Sequence, residues 1–251
     1  MTPVVASIGC SDPWNAAGIG LDILALSACG VRPVTVLAGV TAQDAGGVRA
    51  AEPVSVELVA AQLAALSSAG IAAYRIGALL DRASLAAVAA HVRAANVPSV
   101  YDPVFAPSGG GTFAGADLIG AIARDLVPHV TIVTPNLGEA AALTGIVATD
   151  AAGMEAAARA LWATGAEAAL VKGGHLPDAA IDVLADARGI LAYEAPRIGG
   201  SLRGTGCLLA CGIAAALARG ETLRYAVAYG RAFVRERFAV SVELGGMRLA
   251  F

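Results

Sequence analysis

The feature that most constrains what this chain can fold into is a recurring unit. A short apolar run of strand length stops at a cluster of Gly, Pro, Asp or Asn, and a stretch with helical spacing follows. Residues 3–8 stop at Gly9-Cys10-Ser11-Asp12-Pro13, and a helix follows up to Ala28, closed by Gly30 near its C-cap. Residues 33–40 read as the next strand, ending at Thr41-Ala42-Gln43-Asp44. Val56, Leu58, Val59, Leu63 and Leu66 predict a helix over 55–67, Tyr74-Arg75-Ile76 a strand ending at Gly77, and Asp81 caps a helix up to Ala94. Residues 99–102 form a strand closed by Pro103; 118–126 read as a helix and 130–133 as a strand before Thr134-Pro135-Asn136. A helix over 151–164 leads to the strand 168–172, which runs into Gly173-Gly174-His175.

Alternating elements with polar strand ends predict an α/β fold. Its central sheet is mainly parallel, helices cover both faces, and ligands bind at the strands' C-terminal edge. Runs at 181–185 and 190–193, joined around Asp186, Arg188 and Gly189, predict an antiparallel hairpin at the sheet's edge. A last helix is expected from Thr222 to about Phe238, with Glu221, Arg224, Arg231, Arg235 and Arg237 as exposed charges. No linker, repeat or low-complexity segment divides the sequence, so residues 1–251 are expected to form one domain.

Composition narrows the partners. Hydrophobic residues make up 57% of the 251 and charged residues 15%, which leaves little solvated surface and predicts a homo-oligomer, most simply a homodimer. A net charge of -3 gives no electrostatic reason to expect nucleic acid or an anionic membrane. Cys10, Cys29, Cys207 and Cys211 form no CxxC and have no His cluster beside them, which argues against zinc and for a reduced, cytoplasmic setting. No leader or membrane span is expected.

The strand-end clusters carry the candidate chemistry. Gly204-Thr205-Gly206-Cys207 precedes an apolar run, 208–217, and reads either as a tight turn before a core helix or as an anion site, with backbone N–H groups and a helix N-terminus facing a phosphate. Lys172, just before two glycines, suits a polyphosphate; it can equally be a snorkelling surface lysine. Asn136 and Glu139, three apart, supply oxygens for a hydrated Mg²⁺ or form an ordinary capping pair. Asp12 and Asp102 serve either turn hydrogen bonding or chemistry. Gln43 can donate and accept toward a heterocycle, or stand in solvent on a loop. The stretch 107–112 is either a lid or plain surface, and His175 either a phosphate contact or a loop residue.

Taken in order, Ser11-Asp12-Pro13, Ala17-Gly18-Ile19, Thr41-Ala42-Gln43, Ile76-Gly77, Asp102-Pro103-Val104, Thr134-Pro135-Asn136 with Glu139-Ala140, Val171-Lys172-Gly173-Gly174-His175 and Gly204-Thr205-Gly206-Cys207 resemble the ribokinase-like superfamily. Within it they look most like the hydroxymethylpyrimidine/phosphomethylpyrimidine kinase branch of thiamine biosynthesis, because Cys207 stands where sugar kinases usually have aspartate. The resemblance implies a three-layer α/β/α sandwich with a mainly parallel sheet and an antiparallel edge hairpin. It implies transfer of the γ-phosphate of ATP, with Mg²⁺, to 4-amino-5-hydroxymethyl-2-methylpyrimidine and then to its monophosphate. Pyridoxal or pyridoxine is the alternative acceptor, and a non-catalytic binder of pyrimidine or nucleotide the alternative class. On this resemblance Gln43, Asp12, Gly18, Asp22 and Val104 meet the pyrimidine, and Lys172, Asn136, Glu139, Gly173 and Arg203 the nucleotide. Glu139, Asn136 and Asp102 serve the metal, and Gly204, Thr205, Gly206 and Cys207 the transfer itself. Cys207 is expected to activate the hydroxyl through a thiol pKa lowered by the helix N-terminus. Two departures stand out: Trp14-Asn15-Ala16 replaces Ser-Gly-Gly, and Ser201-Leu202-Arg203 replaces Asn-Thr-His.

Overall fold

Side chains that alternate in direction along continuously buried strands sort the core into two layers, one on each side of a central sheet. The structure, a computed structural model, describes residues 1–106, 112–174 and 180–251. The strands are β1 (Val4–Ser11), β2 (Arg32–Asp44), β3 (Gly47–Pro53), β4 (Ile71–Ile76), β5 (Ser99–Tyr101), β6 (Ile132–Val133), β7 (Ala168–Lys172), β8 (Ala180–Asp186) and β9 (Gly189–Ala195). They form one sheet in the order β3-β2-β1-β4-β5-β6-β7-β8-β9, parallel from β2 to β7 and antiparallel at both edges.

The helices are α1 (Gly18–Ala28), α2 (Val56–Ala65), α3 (Arg82–Ala95), α4 (Ala116–Asp125), α5 (Leu137–Thr144), α6 (Ala151–Trp162), α7 (Thr205–Ala218) and α8 (Leu223–Val240). Val5, Ala73, Val100, Ile132, Ala168 and Leu170 point to the side of α1, α7 and α8. Their neighbours Ala6, Tyr74, Tyr101, Val133, Ala169 and Val171 point to the side of α2 to α6. Such alternation follows from the strand's twofold side-chain period, and a sheet covered on both faces reads as continuous apolar runs. The expected sandwich, with its parallel core and edge hairpin, is what the chain forms.

Helix α7 is apolar all round because it is covered all round. Residues 207–217 are buried between the sheet, α1 and α8. Close approach of α7 and α8 depends on two glycines, since a Cβ on Gly212 would lie 2.7 Å from Gly230 Cα, and one on Gly230 2.8 Å from Leu209 O.

Several expectations need correction. Strand β2 does not stop at Thr41 but continues through Asp44, and Gln43 pairs with Val48 on β3, an antiparallel edge strand that the sequence did not suggest. The reversal at Ala45-Gly46 is held by the Gly46 N–H donating to Asp44 Oδ1 at 2.8 Å. After α8, the strands β10 (Val242–Leu244) and β11 (Met247–Leu249) make a second small sheet that also escaped the sequence reading. The arginines of α8 are not all exposed: Arg224 pairs with Asp186 and Arg231 with Asp182, both acids lying on β8. Arg237 is also largely covered, with 15% of its side chain exposed. The expected lid at 107–112 falls, apart from Thr112, outside the described residues, as does His175.

Gly212→Ala is expected to overpack the α7–α8 contact and to destabilise by about 1–3 kcal/mol. Thermal unfolding should then shift down by about 2–4 °C per kcal/mol. Gly120→Ala on α4, where an added Cβ meets nothing within 4 Å, should raise the midpoint slightly. Equal midpoints for the two variants would refute the close-contact account.

Candidate functional site

The site grows out of the strand alternation. On the face covered by α7, the next inward position beyond each apolar residue is polar. Val5 is followed by Ser7, Ala73 by Arg75, Val100 by Asp102, Ile132 by Thr134 and Leu170 by Lys172. These five side chains line the strands' C-terminal ends beneath the N-terminus of α7. The chain passes from β1 to β2 on one side and later returns to β4 on the other, so the switch in strand order falls between β1 and β4. Open parallel sheets place their ligand crevice at such a point.

The row is joined by charge. Arg75 is 1% exposed and bridges two carboxylates, with Nη1 3.1 Å from Asp22 Oδ2 and Nη2 3.3 Å from Asp102 Oδ2. Asp22, from α1, also accepts from Ser7 Oγ at 2.5 Å and from Cys211 Sγ at 3.3 Å. Asp102 Oδ1 accepts from Lys172 Nζ at 2.7 Å and from Thr134 Oγ1 at 3.2 Å. Burial pushes Asp102 upward, but Lys172, Arg75 and these hydrogen bonds outweigh it and hold the carboxyl below its ordinary value. Burial likewise pulls Lys172 down, and attraction to Asp102 and Glu139 reverses the shift, so the ammonium stays charged. Asp22 is pushed up by burial against the pull of Arg75. Gly77 leaves room for the guanidinium: a Cβ there would lie 2.1 Å from Arg75 Nη1.

The turn before α7 fits against this row. Gly204 is the N-cap, with φ +75°, and an added Cβ would sit 2.3 Å from both Ala16 O and Leu21 Cδ2. Only glycine meets both demands. At Gly206 a Cβ would lie 3.1 Å from Lys172 Nζ and 3.3 Å from Asp102 Oδ2, so the missing side chain is what lets the cation and the carboxylate come up to the helix start. Free N–H groups of the first helical turn, a partial positive charge and a lysine thus converge as an anion site requires.

Cys207, the third residue of α7, is buried. The expected lowering of its thiol pKa is reversed. Burial pushes it up to about 11, with Asp22 and Asp102 adding to the rise, against the pull of Arg75 and a hydrogen bond from the Gly18 backbone. Desolvation exceeds the helix-end effect, so at neutral pH the group is a thiol.

Asn136 and Glu139 form a capping box at α5. Glu139 N donates to Asn136 Oδ1 at 2.9 Å, and Asn136 N to Glu139 Oε2 at 2.7 Å. Burial, opposed by Lys172 and reinforced by Asp102, pushes Glu139 up to about 7. Gly173 follows Lys172, and its N–H is taken by Ile181 O and Asp182 Oδ1.

On the other flank, Asp12 organises the loop after β1. Its Oδ1 accepts from Trp14 N at 3.0 Å, and its Oδ2 from Ala16 N at 3.0 Å and Ala17 N at 2.9 Å. Both carboxylate oxygens of Asp12 are therefore spent on the turn. Gln43 stands half-buried near the end of β2, and Val104 half-buried beyond Asp102. The Arg203 guanidinium turns toward the β2–β3 reversal, where Nη2 donates to Asp44 O at 3.2 Å.

Sequence reasoning missed Arg75. A lone arginine inside an apolar strand, two residues before a strand-ending glycine, was the available signal. Arg75→Met should leave two buried carboxylates without their cation and destabilise by about 3–5 kcal/mol, read from the urea midpoint. Adding Asp22→Asn should recover part of the loss, and a loss below about 1 kcal/mol would refute the bridge.

Glu139 makes stability pH-dependent. Its pKa rises from 4.5 to about 7 on folding, so between these values the folded state holds more protons than the unfolded one. Stability is full below about 4.5 and declines as pH rises to 7, by on the order of 3 kcal/mol at most. Glu139→Gln should flatten that slope; an unchanged slope would show that another group carries it.

Comparison with known proteins gives the family and the fold. The family model for phosphomethylpyrimidine kinase matches residues 12–250. A hydroxymethylpyrimidine/phosphomethylpyrimidine kinase of Rhizobium meliloti is 39% identical over 97% of this chain and 93% of its own length. Among solved structures, an ADP complex of Bacillus subtilis pyridoxal kinase superposes with a TM-score of 0.92 at 25% identity, covering 99% of this chain and 97% of its own. The phosphomethylpyrimidine kinase of Clostridium difficile 630 superposes with a TM-score of 0.84 at 26% identity, covering 94% and 100%. A match over nearly the whole chain, on the fold that brings Lys172, Asp102 and the Gly204–Cys207 turn together, makes this chain a member of the phosphomethylpyrimidine kinase family.

Proposed function

We propose that the whole chain is one kinase domain that transfers the γ-phosphoryl group of ATP to the hydroxymethyl oxygen of 4-amino-5-hydroxymethyl-2-methylpyrimidine, and then to its monophosphate. The observation that carries this reading is the convergence of the α7 N-terminus with Lys172 and Asp102 across the glycine at 206. Relatives named for this reaction, at 39% identity in one case, supply the substrate. In the transfer the acceptor oxygen forms a bond to the γ-phosphorus and gives up its proton to an oxygen of the transferred phosphate, while the bond to the ADP oxygen breaks. The N–H groups of Gly204, Thr205, Gly206 and Cys207 face the charge on the moving group, where most catalysis of such a reaction arises. Lys172 neutralises phosphate oxygens, with Gly173 beside it at the nucleotide. Arg203, turned toward Asp44, is a less direct nucleotide contact than Lys172. Asp12, Gly18, Asp22, Gln43 and Val104 lie on the acceptor side, Asp12 and Asp22 acting through the loop and the buried row that they hold in place.

Mg²⁺ fits the donors present in a limited way. Asp102 has both oxygens engaged by cations, whereas the capping box uses only one oxygen of Glu139. Mg²⁺ commonly keeps several waters and is held by substrate phosphates plus one or two carboxylates. Glu139, with Asn136 orienting it, would hold the ion through its other oxygen, Oε1, and Asp102 would act from behind Lys172. When bound, the ion neutralises phosphate charge. Exposed Ile23 and Leu24 on α1 and Val40 on β2 support a homodimer. Among the described residues no helix is long and apolar enough to cross a membrane.

Pyridoxal is the second acceptor to test, because a pyridoxal kinase superposes with a TM-score of 0.92. A coupled ADP-release assay with the pyrimidine alcohol, its monophosphate and pyridoxal should show turnover on the first two and less on the third. No turnover on any of them would overturn the kinase reading. With the thiol near 11, Cys207 serves as a neutral hydrogen-bonding group near the acceptor oxygen. Cys207→Ala should cut kcat at least tenfold while ligand affinity, from calorimetry, stays within about threefold. Unchanged kcat would reduce the thiol to a packing residue.

A further inference from the structure

The C-terminal hairpin sits on both loops that flank the anion turn. Residues Gly245 and Gly246 link β10 to β11 with φ +58° and +76°, the two positive values of a type I′ reversal. The hairpin's inward residues Met247 and Leu249 form an apolar cluster of their own with Ala16. Gly245 lies under the indole of Trp14, where an added Cβ would come 2.6 Å from Cη2 and 2.7 Å from Cζ3. Arg248 O accepts from Arg203 N at 3.0 Å. Its side chain ties the hairpin to the end of α8, with Nε 2.5 Å from Ser241 Oγ and Nη2 2.7 Å from Phe238 O. The clamped loop reaches the centre of the site directly, because Ala16 O packs against Gly204.

We propose that the hairpin is a clamp on the acceptor side of the site. By seating Trp14 on Gly245, and Ala16 on Met247 and Leu249, it fixes the 12–17 loop against the Gly204–Cys207 turn and thereby positions the acceptor alcohol. Trp14 is the positioning residue through which Gly245 acts. This rests on the reading of the 12–17 loop as the acceptor side of a kinase.

The two hairpin glycines provide a matched test in the full chain. Alanine at either position bears the same left-handed backbone strain, but an added Cβ at Gly246 meets nothing within 4 Å, whereas one at Gly245 strikes Trp14. Gly245→Ala should raise KM for the pyrimidine alcohol at least fivefold with KM for ATP within twofold. Gly246→Ala should leave both within twofold. In a Trp14→Ala background, Gly245→Ala should add no more than twofold, as expected of coupled residues. Identical behaviour of the two glycine variants, equal increases in both KM values, or multiplicative effects of Trp14→Ala and Gly245→Ala would overturn the clamp. Hydrogen exchange gives a readout independent of turnover: amides of 14–17 should exchange faster in Gly245→Ala than in Gly246→Ala, and equal exchange would overturn the clamp. If the wild-type protein turns over no alcohol, the kinase reading falls, and exchange alone decides the clamp.

Discussion

Everything at the sheet's C-terminal edge is arranged around one buried ionic row: Asp22, Arg75, Asp102 and Lys172. Two carboxylates and two cations balance in sign, yet balance alone does not make burial favourable. Each ion loses several kcal/mol of hydration, and only close geometry with further hydrogen bonds returns it. The row meets that demand by drawing Ser7, Thr134 and Cys211 onto the carboxylates. Its cost explains features that would look incidental in isolation. Gly77 is small because the guanidinium lies against it, and Gly206 because Lys172 and Asp102 reach the helix start.

The row also fixes what the site presents to a ligand. Asp102 is occupied by cations on both oxygens, so it acts as an anchor for Lys172 more than as a free carboxylate. Held at one end by Asp102, the ammonium keeps its position without a ligand, which lowers the ordering needed when phosphate arrives. Glu139 adds a third carboxyl to the neighbourhood, and burial with the charge of Asp102 keeps it partly protonated at neutral pH. The mouth of the site therefore avoids an excess of negative charge facing an anionic ligand.

The layers were legible because they follow from local rules. Apolar strand runs ending in polar clusters announce a parallel sheet, and the polar residues two positions beyond each buried one are written in the same alternation. The missed parts depend on contacts between distant residues or on elements too short to show a period. Strand β3 carries one large apolar residue, Val48, and its partner segment 41–44 resembles a loop until the reversal at Ala45-Gly46 is seen. Strands β10 and β11 have three residues each. Arg224 and Arg231 look solvated on a helical wheel, and only the fold brings Asp186 and Asp182 to them. Asn136 and Glu139 were open between metal and cap, and the cap is present.

Cys207 shows where a sequence argument has the right sign but the wrong size. A helix N-terminus favours a thiolate by roughly 0.3–1 kcal/mol when exposed, and up to about 2 when partly buried. Complete burial of a charge opposes it with shifts of up to about 3–5 pKa units, and each unit is worth 1.36 kcal/mol. Sequence reveals the helix start, but the depth at which α7 begins is set by α1, α8 and the sheet together. The same burial that keeps the thiol protonated puts low-dielectric core directly beneath the turn, whose residues 204–206 stay half-exposed and open to a ligand. A low dielectric on one side strengthens what the N–H groups and Lys172 do to a phosphoryl group, so loss of the thiolate and gain in electrostatic stabilisation have one cause.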